Sequence, residues 1–159
     1  GERVCLTGKN GSGKSSLLKL ILGQNIPHTG TVFCASGLII SYLPQDPSFL
    51  RGTLAEWILE TGVDETLFKT ILRKLDFERV QFEKPMQGYS QGQKKKVLIA
   101  TSLCEKAHLY LWDEPLNYID VYSRMQIEAL LQTANPTMIF VEHDRAFAEQ
   151  IATKMQRLS

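Results

Sequence analysis

The chain has 159 residues, 43% of them apolar and 22% charged, the proportions of one folded domain with an ordinary core rather than a disordered segment. Lys and Arg number 18 against 17 Asp and Glu, a net charge of +1, so no overall field draws nucleic acid or an anionic membrane and only a local patch could do so. No apolar run nears the roughly 18 residues that span a bilayer and no signal-peptide pattern opens the chain, which predicts a cytoplasmic protein without membrane insertion.

In chain order, "GERVCLTG" enters a β-branched, apolar run (3–8) with no preceding cap or loop, as expected of a segment of a longer polypeptide. "KSSLLKLILG" reads as a helix stopped by Gly23. "TVFCASGLIISYLPQ" predicts two short strands around Ala35-Ser36-Gly37. Thr53 and Glu56 form a capping box ahead of "LAEWILE", and Asp64 is placed to cap "ETLFKTILRKL". Residues 51–87 therefore read as helical. Ser90 and Gln93 make a second capping box, opening a helix from Gln91 to about Lys106. "HLYLWDEP" is a buried strand ending in acids. Helix "VYSRMQIEALLQ", strand "TMIFVEH", helix "DRAFAEQIA" and a short strand near "KMQRL" complete the chain. Strands alternating with helices predict an α/β fold, a mostly parallel sheet covered on both faces. Cys5, Cys34 and Cys104 are odd in number and far apart, which predicts buried free thiols rather than a metal or disulfide site.

The chemistry is concentrated in a few short stretches. "GKNGSGKS" (8–15) matches G-x-x-x-x-G-K-[ST] at every fixed position, with a strand before it and a helix after. Gly8, Asn10, Gly11, Ser12, Gly13, Lys14, Ser15 and Ser16 are the candidate ATP-phosphate cradle: glycines let backbone N–H groups curl around an anion, and the helix end adds positive charge. Lys14 is the candidate for the β- and γ-phosphates and Ser15 for Mg²⁺. In "LYLWDEP" two acids leave the carboxyl end of a strand; Asp113 is a candidate Mg²⁺ ligand and Glu114 a candidate to polarise the attacking water. Gln45 ends one strand and His143 another. Alone, a glutamine at a turn reads as polar surface and a histidine as a structural hydrogen-bonder. Asp144 is most simply a helix N-cap.

Taken in order, "GKNGSGKS", Gln45, "YSQGQ", "LYLWDEP", "LNYID" and "VEHD" resemble the nucleotide-binding domain of an ATP-binding cassette (ABC) ATPase over essentially the whole chain. The resemblance implies a P-loop NTPase fold in which residues 1–159 form one cassette, lacking the usual N-terminal segment and carrying a helical subdomain over about 51–106. It makes Gln45 a catalytic and Mg²⁺-binding glutamine, His143 the switch histidine and Asp120 the end of the D-loop. It also implies ATP and Mg²⁺ as cofactors. Ser90, Gly92 and Gln93 become the signature, binding the ATP of a partner cassette in a head-to-tail pair; the helix-capping role of Ser90 is compatible with this. The signature departs from LSGGQ, with Tyr89 for Leu and Gln91 for the first Gly. "DEPLNYID", "HDRAF" and "SQGQKKKV" resemble the ABC-F family, particularly the antibiotic-resistance type acting on ribosomes and the second cassette of its tandem pair. That implies a second cassette on the same parent chain and the ribosome as partners. The ATPase subunit of a membrane transporter and a regulatory module that does not hydrolyse ATP are the alternatives. Lys94, Lys95 and Lys96 fan over about 200° of a helix, and are expected to form a solvated or phosphate-facing collar.

Overall fold

The computed structural model describes all residues, 1–159. Five parallel strands, β1 (Arg3–Thr7), β2 (Ile40–Leu43), β3 (Leu109–Asp113), β4 (Met138–Val141) and β5 (Lys154–Arg157), form one sheet in the order β2-β3-β4-β1-β5. Helices α1 (Lys14–Ile21), α2 (Leu54–Thr61), α3 (Glu65–Lys74), α4 (Gln91–Cys104), α5 (Val121–Ala134) and α6 (Arg145–Ile151) connect them, with two 3₁₀ turns at Arg79–Glu83 and Met86–Gly88. The fold is the parallel α/β P-loop NTPase architecture expected from the sequence.

Side-chain alternation along the strands builds two cores. Leu6, Leu111 and Val141 face α1 and pack with Leu18. Their neighbours Cys5, Trp112 and Phe140 point to the other face and join a cluster of 24 buried residues. That cluster runs without a break into α2, α3 and α4 through Leu54, Phe68, Leu72 and Val97, so sheet and helices share a single interior. At full apolar burial, each such side chain contributes about 1.5–3 kcal/mol. All the anticipated caps form: Thr53 with Glu56, Asp64, Ser90 with Gln93, and Asp144.

Three expectations are corrected. Residues 31–38 form no strand; only Ile40–Leu43 pairs, with β3 on one side. β2 is the sheet edge, so the run before it has no ladder to join, and Phe33 is left 89% exposed. Of the cysteines only Cys5 is buried, because Cys34 lies on that unpaired segment and Cys104 at the half-covered end of α4. Finally, Lys94, Lys95 and Lys96 are buried, not a solvated collar. Residues 94–102 of α4 are buried on every side, so the lysines enter with the helix and must find oxygen partners inside the protein.

Candidate nucleotide-binding and hydrolysis site

The loop from Gly8 to Gly13 leaves the end of β1 and turns into α1. Gly13 is the N-cap of that helix at φ 92°, a left-handed conformation that a side chain adopts only with strain. No side chain caps α1, so the first backbone N–H groups keep their free donors. Lys14 is 7% exposed and folds back over the loop, its Nζ donating to the Gly8 and Lys9 carbonyls at 2.8 and 2.9 Å. A cavity of about 300 Å³ opens here, lined by Asn10, Gly11, Gly13, Lys14, Ser15 and Ser16 from the loop and by Gln45, Glu114 and Val141 opposite.

Asp113 is the last residue of β3 and is 2% exposed. Burial pushes its carboxyl up from the usual range, with the neighbouring Ser15 hydroxyl acting the other way. Its Oδ1 has no hydrogen-bond partner. An unsatisfied buried carboxylate oxygen beside a serine hydroxyl fits a hard cation with oxygen ligands. Asp113 and Ser15 are the residues that would hold such an ion, in the manner of Mg²⁺, which is normally bound by one or two carboxylates together with phosphate oxygens.

Glu114 carries the densest set of contacts. Its Oε2 accepts from Gln45 Nε2 at 2.7 Å and from Asn117 Nδ2 at 2.9 Å, and its Oε1 from His143 Nε2 at 2.8 Å. The residue itself sits at φ 49°, and its N–H donates to the Val141 carbonyl at 2.8 Å. Gln45, Glu114 and His143 stand after β2, β3 and β4, three adjacent strands, so the order of the sheet brings them together. Glu142 fastens the same end of the sheet: its carboxylate accepts from the N–H groups of Leu116, His143 and Asp144. Burial raises its carboxyl, while those three N–H bonds oppose the shift.

The signature residues lie outside the phosphate-loop cavity. Ser90 Oγ accepts from the Gln93 N–H at 3.1 Å, and Gln93 Oε1 accepts from the Ser90 N–H at 2.9 Å. Gly92 packs on the turn that follows Asn117; a Cβ there would come 2.5 Å from the Tyr118 carbonyl oxygen. Two of the three buried lysines that follow reach different loops. Lys96 Nζ pairs with Asp120 at 3.1 Å. Although burial alone would raise the Asp120 carboxyl, the Ser123 N–H and hydroxyl together with Lys96 hold it at about 2. Lys95 donates to the Gln45 carbonyl at 2.6 Å and the Glu114 carbonyl at 3.3 Å. Burial lowers its pKa, and the negative field of Asp113, Glu114 and Glu142 resists that shift.

Sequence reasoning missed Asn117, Glu142 and Lys95 as members of this site. Asn117 had a usable signal, three residues beyond an acid in a turn. Glu142 and Lys95 had none, because their partners are backbone groups brought together only by the folded sheet.

A strand, a glycine loop opening an uncapped helix, and a buried acid ending the strand two places away in the same parallel sheet define a P-loop nucleoside triphosphatase. The model of one family, described as ABC transporter, matches residues 1–117. The chain belongs to that family and is an ABC ATPase domain. It is 33% identical over its whole length to the probable ATP-binding protein YbiT of Escherichia coli O157:H7, covering 31% of that protein. It is 34% identical over 94% of its length to the ribosome protection protein VmlR of Bacillus subtilis (strain 168), covering 28% of it. Over 91% of its length it is 32% identical to the zinc import ATP-binding protein ZnuC of Pseudomonas savastanoi pv. phaseolicola, covering 57%. Among solved structures, a chain in the complex of archaeal ribosomal stalk protein aP1 with archaeal ribosome recycling factor aABCE1 superposes with TM-score 0.81 at 25% identity, over 98% of this chain and 31% of that one. The chain thus spans about a third or less of the first of these relatives. None of its helices is long and apolar enough to cross a membrane.

Proposed function

We propose that this cassette, residues 1–159 with its helical subdomain at about 51–106, hydrolyses ATP as the second of two cassettes on one ABC-F type parent chain. It acts in the cytoplasm, on the ribosome, in ribosome protection or the regulation of translation, with antibiotic resistance as the cellular outcome. The observation that carries the ATPase reading is the Glu114 carboxylate, held by Gln45, Asn117 and His143 at the mouth of the phosphate-loop cavity. In this reading residues 8–16 cradle the ATP phosphates, and Lys14 supplies point charge to the β- and γ-phosphates. Ser15, Gln45 and Asp113 hold Mg²⁺, which when bound offsets phosphate charge. Glu114 orients the attacking water and His143 steadies the carboxylate. Ser90, Gly92 and Gln93 meet the nucleotide of the other cassette. The ribosomal part is supported by the similarity to VmlR, a ribosome protection protein, and to aABCE1, a ribosome recycling factor.

The test is Glu114→Gln in the intact parent. Mg-ATP affinity is expected to hold while single-turnover hydrolysis falls by about 10²–10⁴-fold, and the closed, ATP-bound form is expected to sediment with ribosomes. Near-normal hydrolysis removes Glu114 from the mechanism. Slow hydrolysis without ribosome retention leaves the ATPase standing and favours the second reading, a transporter ATPase subunit, which the similarity to ZnuC supports.

A further inference from the structure

We propose that Lys95 is a positioning residue for hydrolysis: its ammonium fixes the main chain beneath Gln45 and Glu114, and so sets where their side chains meet the attacking water. This rests on the ATPase reading above. Lys95 is 0% exposed, in the second turn of α4. Its Nζ donates to the carbonyls of Gln45 at 2.6 Å, Glu114 at 3.3 Å and, at the limit of a hydrogen bond, Pro44 at 3.5 Å. An ammonium has three donors, and all three here are spent on main-chain carbonyls of the two catalytic segments.

Those segments come from different strands, and 69 residues separate Gln45 from Glu114. Their side chains nevertheless meet at 2.7 Å, a geometry that requires both backbones to be pinned. Glu114 needs pinning most, because at φ 49° it holds a left-handed conformation that a residue with a side chain keeps only when its surroundings impose it. The Val141 carbonyl restrains it from the N–H side and Lys95 from the carbonyl side. Space alone does not explain the lysine. An apolar chain of similar length would fill the same volume without the desolvation cost of a buried ammonium. The placement has a mechanical consequence as well: five residues before Lys95, the same helix begins at Ser90, so movement of the signature reaches Gln45 and Glu114 through one rigid element.

The experiment uses the intact parent protein carrying Lys95→Met or Lys95→Gln. Nucleotide sites are counted with a fluorescent ATP analogue, so that rates refer to folded cassettes only. Lys95→Met is expected to keep nucleotide affinity within about twofold and to slow single-turnover hydrolysis about tenfold to a hundredfold, the scale on which misplacement of a reacting group acts. Lys95→Gln, which retains a donor, is expected to recover part of the rate. In a Glu114→Gln background the Lys95→Met change is expected to add much less than in the wild type, because only the Gln45 segment is left for it to position. Wild-type turnover per site in Lys95→Met overturns the proposal, as does an equal slowing in both backgrounds. Should Lys95→Met fail to fold, the same pair of backgrounds is compared with Lys95→Gln, and the same two outcomes decide. Hydrolysis by the wild type with no effect at Lys95 sinks this role alone; absence of hydrolysis in the wild type sinks the ATPase reading and this one together.

Discussion

Helices α1 and α4 both begin at residues assigned to nucleotide phosphate, yet their first turns are finished in different ways. α1 starts from a left-handed glycine with no side-chain cap, and the cation in its first turn, Lys14, is folded over the loop. α4 starts from a complete capping box in which Ser90 and Gln93 satisfy each other. The first end leaves its donors free for an anion. The second has already used the Gln93 N–H, and its stability does not depend on a ligand. In the proposed reading, the end that would bind its own nucleotide is left open, whereas the end that would meet a partner's nucleotide is stable alone and shares its cap.

Four substitutions in the intact parent press on that contrast. The largest effect is expected at the open end. Lys14→Ala removes the charged donor from the phosphate loop, and loss of charge-assisted hydrogen bonds on this scale should weaken ATP binding on the order of a hundredfold. Calorimetry showing retained affinity would break the assignment of α1. Ser90→Arg should leave ATP binding at α1 within about twofold while blocking closure, so that turnover drops at least about tenfold; cross-linking between cassettes in ATP reports the closure directly. Ser90→Ala should cost about 1 kcal/mol of stability by denaturant unfolding, the usual value of an N-cap. No loss of stability would mean that the box is not holding α4.

The smallest effect concerns the tie from α4 to α5. Asp120 is held at about 2 in the fold, below its unfolded value near 3.9. Its contribution is therefore present above about pH 4 and lost as the pH falls through about 2. Lys96→Met should remove part of this, a few tenths of a kcal/mol for a half-exposed partner. The difference from wild type should be visible at neutral pH and vanish in acid.

Much of this architecture could be read from local chemistry. Each cap joins residues three apart, and the phosphate loop declares itself by glycine spacing between a strand and a helix. The acids at the end of β3 were equally legible, since an apolar run ending in "DE" marks the carboxyl edge of a parallel sheet. What escaped was set at a distance. Whether Lys95 is solvated depends on where the carbonyls of Pro44, Gln45 and Glu114 end up, and α4 gives no warning because a helix buried all round has no polar stripe to read. The strand expected before Ala35 failed for the opposite reason: Val32 and Phe33 suit a strand, but an edge needs a neighbour.

The contact between Gly92 and the Tyr118 carbonyl changes what a substitution survey of this chain would mean. A Cβ at 92 would sit 2.5 Å from that oxygen, so selection for folding alone would already reject alanine there. Intolerance at Gly92 is therefore no sign of contact with the other cassette's nucleotide, whereas intolerance at Ser90, which is exposed, beyond what loss of its cap explains, would be one. A cassette that had lost its partner and its catalysis would still be obliged to keep this glycine of its signature.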